Sequence, residues 1–301
     1  MSLPLAPRGK SAAKVLERSP MSDTVLRAMD DDGSFRVIAA TTTETVRGAA
    51  KAQRVRGTTA SYFGEILTGA ALIRETMAPQ MRVQSILRGA DNSGTMVADS
   101  HPDGSTRGLV QGSARDRGLV FGAGARFQMM RTMRNGGIQQ GIVEYHGGGF
   151  SSVLMEYLQN SEQISSVIAV ATLLERDEIA VAGGYVVQLL PEAKPEAVAT
   201  MNERLSALPS IESLLTAGRA SPAELVDALF AGTKYTRLDE TPLFFGCQCS
   251  QEKLLAALGT IDQGELHAMV DEGKDIDITC DYCGQAYVLT LPELRALLKS
   301  E

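Results

Sequence analysis

Cysteine is missing from the first 246 residues of this 301-residue chain, and all four copies fall between positions 247 and 283. No disulfide framework can brace most of the protein, so its folding must rest on apolar burial. Long hydrophobic runs are missing too. No stretch reaches the roughly 18 consecutive apolar residues of a membrane helix, and we expect no membrane partner. Cationic excess is also absent: 29 Lys and Arg face 36 Asp and Glu, a net charge of −7 with a pI near 5.2. That balance disfavours phosphate backbones, so no nucleic-acid partner is expected. Residues 1–20 carry Arg8, Lys10, Lys14 and Arg18 against Glu17 but no apolar segment, and so do not read as a secretory signal. We read them as a disordered tail in preference to an organellar address. A cytoplasmic location is the resulting expectation, with free thiols as its default.

What is present is the composition of an ordinary globular protein, 44% hydrophobic and 22% charged, at a length suggesting about two domains. Val25–Asp30 and Phe35–Thr41 read as strands joined by the turn residues Asp31-Asp32-Gly33. Thr42 or Thr43 is positioned to cap a helix through about Val55, and a second helix runs from about Thr59 to Met77, ended by Pro79. Short β segments follow: Arg82–Arg88, Gly94–Asp99, Arg107–Val110, Leu119–Ala123 and Ile138–Tyr145, with Pro102-Asp103-Gly104 and Asn135-Gly136-Gly137 as turns. A helix near Phe150–Asn160 precedes strands at Ser166–Glu175 and Ile179–Leu190. The order is that of an α+β core domain rich in antiparallel pairing. After Pro191 and Pro195 the pattern turns helical. Val198, Met201 and Leu205 share one face, Ile211, Leu214 and Leu215 a second, and Ser221 is placed to cap a third with Leu225, Leu229 and Phe230. These faces fit a subdomain packed on the β core, or a linker able to expose them.

Several motifs suggest enzymes and fail. His146-Gly147-Gly148-Gly149 imitates an oxyanion loop, but no G-x-S-x-G elbow accompanies it. Gly89 to Thr95 has P-loop glycine spacing without the lysine. Ser11 and Lys14 spell S-x-x-K without its partner motifs. Met129, Met130 and Met133 fit core filling better than a binding patch. No active site emerges, and the chain does not read as an enzyme.

The cysteines carry the chemistry. Cys247 and Cys249 form C-x-C, Cys280 and Cys283 form C-x-x-C, and 30 residues separate the pairs. Two close pairs on turns supply the four soft ligands of a tetrahedral zinc site. Gly284 lets the backbone after Cys283 curl so that amides face the thiolates. His101 and His146 are remote, and His267 lies in a helical stretch, so no histidine competes. Three uses remain open at this level. A structural ribbon for nucleic acid has the wrong charge, since residues 247–301 hold four Lys/Arg and ten Asp/Glu. A thiol–disulfide oxidoreductase needs its C-x-x-C before a helix, whereas Gly284 to Leu289 reads as a strand. A redox switch needs only thiolates that oxidants attack and a unit that depends on its metal.

With C-x-C-S, a long spacer and C-D-Y-C-G in view, the chain resembles the bacterial 33-kilodalton heat-shock chaperone family. The likeness extends to Gly94 through Asp99, Asp103-Gly104, Arg107-Gly108, Ser161-Glu162-Gln163, Ala182-Gly183-Gly184 with Gln188 through Pro191, and Phe245 through Ser250. Leu109, Lys253 and the long leader depart from the family pattern. The resemblance implies a redox-regulated, ATP-independent holdase for unfolding clients, with one Zn²⁺ on the four cysteines when reduced. It implies Cys247–Cys249 and Cys280–Cys283 disulfides and a homodimer when oxidised. It also divides the chain into a core at 21–191, a helical linker at 192–246 and a C-terminal zinc-binding domain at 247–301.

Overall fold

Strand alternation and a helix apolar on every side set the architecture of the protein in the computed structural model, which describes residues 22–133 and 136–298. The basic segment 1–20 and Asn135 of the expected turn lie outside the described residues. β1 (Thr24–Asp30) and β2 (Phe35–Thr41) form the expected hairpin. α1 (Thr43–Gln53) and α2 (Gly57–Glu75) follow. Then come β3 (Arg82–Arg88), β4 (Thr95–Ser100), β5 (Ser105–Gln111), the short α3 (Ala114–Arg117), β6 (Arg126–Thr132) and β7 (Ile138–Glu144). α4 (Phe150–Tyr157), β8 (Ser166–Glu175) and β9 (Glu178–Leu189) complete the core chain.

β1, β2, β9 and β8 build one antiparallel sheet, while β5, β4, β3, β6 and β7 build a second. α2 lies between them, touching β8 and β9 on one side and β3 and β4 on the other. A helix apolar all round belongs in such a place, and Phe63, Ile66, Leu67, Leu72 and Ile73 are each at most 1% exposed. Contact with the second sheet is close enough that a Cβ on Gly108 would stand 2.5 Å from the Phe63 ring. Glycine there is a packing requirement.

The outer face of the first sheet is covered by α5 (Pro195–Ala207), α6 (Ile211–Thr216) and α7 (Pro222–Leu229). Leu26, Val37, Tyr185 and Val187 from the sheet meet Met201, Leu214, Leu225 and Phe230 from this layer in one buried cluster. Ser221 caps α7 through a complete capping box with Glu224, as its sequence position suggests.

Three expectations are corrected. Residues 119–123 are not a strand. The strand is β6, slightly later, where Phe127 and Met129 point inward between less buried neighbours. The segment 192–246 is not helical throughout: after α7 the chain enters β10 (Tyr235–Pro242), which pairs with β1, and β11 (Phe244–Phe245), which pairs in parallel with β5. These strands are held by backbone pairing at sheet edges, since β10 is mostly exposed and polar. Finally, α1 is not capped by a threonine hydroxyl. Asp23 caps it from before β1, accepting from the Glu44 and Thr45 amides at 3.2 and 2.6 Å.

The C-terminal unit contains α8 (Gln251–Leu258), α9 (Gln263–Asp271), the hairpin of β12 (Ile276–Thr279) and β13 (Ala286–Leu289), and α10 (Leu291–Leu297). Its small cluster buries Val270, Leu289 and Leu294. Among the described residues, no helix is long and apolar enough to cross a membrane.

Candidate metal centre

The two cysteine pairs reach the site by different routes. Cys247 and Cys249 follow β11 directly, and the Gly246 amide still donates to Thr106 O of β5 at 3.2 Å. Cys280 and Cys283 occupy the turn between β12 and β13. There Gly284 N donates to Cys280 O at 2.8 Å and Cys280 N to Gln285 O at 2.9 Å. Gly284 has φ +75°, the left-handed conformation that closes this turn at least steric cost in glycine. The expected curl is present, because the Cys283 and Tyr282 amides face the Cys280 sulfur and the Gln285 amide faces that of Cys283.

All four Sγ atoms lie within 4.8 Å of one another. Cys247 and Cys280 Sγ are 3.7 Å apart, and Cys249 and Cys283 Sγ 3.5 Å. A tetrahedron of thiolates with Zn–S bonds of ~2.3 Å has edges of roughly 3.8 Å. The donor set and its spacing fit a soft, four-coordinate cation. Every cysteine is half-buried, and none forms a disulfide in this structure. No histidine joins them. His267 is exposed on α9, with its Nδ1 against Gln263 O, and exposed His146 lies near Glu156.

The core supplies charge to this cluster, which cysteine spacing does not disclose. Arg107 on β5 donates from Nη1 to Cys247 Sγ at 3.2 Å, and its guanidinium lies 4.1 Å from the centre of the Tyr282 ring. Asp99, fully buried, holds Arg107 at 3.0 Å, Arg82 at 2.5 Å and His101 at 3.2 Å. Desolvation alone would raise the Asp99 carboxyl, but hydrogen bonds from His101 and Arg82 outweigh it and hold the group well below the usual carboxylate range. Burial likewise pushes the Cys247 thiol up, yet the Arg107 hydrogen bond and the Cys249 amide bring it down to about 7. Burial pushes Cys280 up and Cys283 up to about 12. A cation among the four sulfurs would favour the thiolate form of each. Tyr287 also donates to Cys249 Sγ at 3.0 Å.

Sequence reasoning identified the four cysteines and missed as their neighbours Arg107, Tyr282, Tyr287 and Gln53, whose Nε2 donates to Asp281 O in the Cys280–Cys283 turn. Arg107 was visible only as part of an Arg-Gly pair. Gln53, at the end of α1, carried no signal.

Known proteins share both the sequence and the fold. A 33 kDa chaperonin of Syntrophotalea carbinolica is 31% identical over 288 residues, covering 92% of this chain and all of the relative. One from Shouchella clausii is 29% identical, covering 93% and 98%. The crystal structure of a 33 kDa chaperonin from Thermotoga maritima, at 25% identity, superposes with a TM-score of 0.77 over 92% of this chain and 98% of that one. The sequence profile described as Hsp33 protein matches residues 23–290, from the start of β1 to the end of the cysteine hairpin, and the chain therefore belongs to the Hsp33 family.

Proposed function

We propose that this protein is a redox-regulated molecular chaperone, an ATP-independent holdase that keeps unfolding proteins from aggregating. The carrying observation is the cluster of four sulfurs within 4.8 Å, set in a unit with little apolar core of its own. Family membership and the printed names of the relatives supply the chaperone class.

In this reading Cys247, Cys249, Cys280 and Cys283 hold one Zn²⁺ in the reduced protein. Bound zinc keeps the four sulfurs as thiolates and joins the two halves of the unit. Arg107 positions Cys247 and offsets part of the negative charge that four thiolates bring. Oxidation by a peroxide takes two electrons from each neighbouring pair, forms Cys247–Cys249 and Cys280–Cys283, and reduces the peroxide to water. Each disulfide surrenders two thiolates, so the ligand set is lost and the unit loses its main support. Residues 192–246 then act as the regulated linker between the core at 21–191 and the unit at 247–301. Unfolded clients bind, and the oxidised protein assembles as a homodimer in the cytoplasm.

A thiol–disulfide oxidoreductase is less well supported. Cys283 is pushed up to about 12 by burial, and a strand, not a helix, follows the C-x-x-C pair. Light scattering from a heat-unfolding client, with zinc-loaded reduced protein and with peroxide-treated protein, tests the proposal. Suppression by the oxidised form alone is expected, and equal suppression by both forms rejects the switch. Peptide mapping of the oxidised protein should give the two near-neighbour disulfides.

A further inference from the structure

The cysteine pairs differ in how they are anchored. Cys247 and Cys249 continue from β11, whose flanking amides are bonded to the second sheet. Cys280 and Cys283 arrive on a hairpin 30 residues farther along the chain. Among the described residues, the hydrogen bonds from their turn to the core both come from Gln53.

Gln53 is 2% exposed and is the last residue of α1. Its Nε2 donates to Asp281 O at 2.7 Å and to Tyr282 O at 3.0 Å. Its Oε1 accepts from Val110 N of β5 at 3.0 Å and from Arg115 Nη2 at 3.2 Å. The partners fix the amide orientation, since two carbonyls demand the nitrogen and two donors demand the oxygen. Both donors of a buried carboxamide thus face the cysteine turn, and separation of the two would strand them.

We propose that Gln53 is the positioning residue that holds the Cys280–Cys283 turn against β5, so that the core itself slows departure of the second cysteine pair. This deepens the proposed function and rests on it. Arg107 acts beside it, stacking on Tyr282 while bonded to Cys247, so the dock touches both cysteine pairs. Two side chains of the core therefore hold the Cys280–Cys283 turn, Gln53 through backbone carbonyls and Arg107 through the Tyr282 ring.

Gln53→Glu is the discriminating variant. A carboxylate retains the acceptor for Val110 N and Arg115 and so preserves the core contact. It has no N–H for Asp281 O and Tyr282 O and sets negative oxygen against them. In zinc-loaded full-length protein, amide exchange of residues 280–285 should quicken while that of Val110 holds. Zinc transfer to a chromophoric chelator during peroxide treatment should be faster by about tenfold, the factor ~1.4 kcal/mol represents. Gln53→Met, similar in volume but unable to bond to either side, should quicken exchange at both places. Zinc content should stay at one per chain in both variants, since no ligand is altered.

Unchanged exchange at 280–285 together with unchanged zinc transfer in Gln53→Glu would overturn the proposal. So would loss of Val110 protection in that variant without any effect at the turn. Neither readout uses client aggregation. A parent protein that proves insensitive to oxidant in the aggregation assay would defeat the proposed function and leave this docking result standing.

Discussion

The core and the C-terminal unit solve the problem of folding in opposite ways. Around α2 the core buries Phe63, Ile66, Leu72, Met96, Phe127 and Tyr157, each at most 1% exposed, between two sheets. The C-terminal unit buries only Leu266, Val270, Leu289 and Leu294 among its described residues, and none of the residues of α8 is buried. Burial of roughly 25 cal/mol per Å² supports the first arrangement and leaves the second short. A metal held by the four cysteines, as proposed, would supply the closure that so small a core leaves wanting. In the proposed function, a chemical event at sulfur would reach the weakly cored unit first.

The most severe test of this contrast is removal of the metal. Structural zinc contributes on the order of 10 kcal/mol to small domains of this kind. Chelation, or Cys280→Ala, should open residues 247–298 to protease while the core keeps its cooperative thermal transition. Simultaneous melting of both regions would show them to be one folding unit. Next in size is Leu72→Ala in α2, fully buried, which should cost roughly 2–5 kcal/mol of core stability. Zinc affinity measured by chelator competition should not change, and a parallel fall would erase the distinction.

The smallest effect concerns Glu65, whose carboxyl is pushed up to about 7 by burial and by the nearby Glu212 of α6. The ordinary value is 4.5, so the folded state holds a proton that the unfolded state has released. Stability therefore declines as pH rises from about 4.5 to about 7 and stays lower above it, by up to about 3 kcal/mol. Glu65→Gln should remove this slope. The Tm advantage of the variant over the parent should be larger at pH 8 than at pH 5, and an equal difference at both would place Glu65 in an ordinary solvated setting.

Legibility followed locality. The β1–β2 hairpin, α2 and the β8–β9 pair were readable because each rests on its own periodicity and its own turn. β10 was not, because Tyr235 to Pro242 has little apolar alternation and becomes a strand by pairing with β1, more than 190 positions away in sequence. β6 had a signal in the inward Phe127 and Met129, which the glycines around 118–124 obscured by suggesting an earlier strand. The α1 cap failed for the same reason as β10: Asp23 lies on the far side of a hairpin, and only the fold brings it to the helix.

The cysteine cluster divides along the same line. Sequence alone determined that four thiols in two close pairs would act together, because C-x-C and C-x-x-C turns set the spacing of sulfurs locally. It determined as well that the surrounding segment is acidic. Tertiary structure decided what faces those sulfurs. It brought Arg107 to Cys247 and Tyr282, and put the Gln53 amide on the carbonyls beside Cys280, across 140 and 228 residues of chain. The physical reason is reach: a ligand set is written in neighbouring residues, whereas the charges and hydrogen bonds that hold and tune it come from wherever the sheets place them.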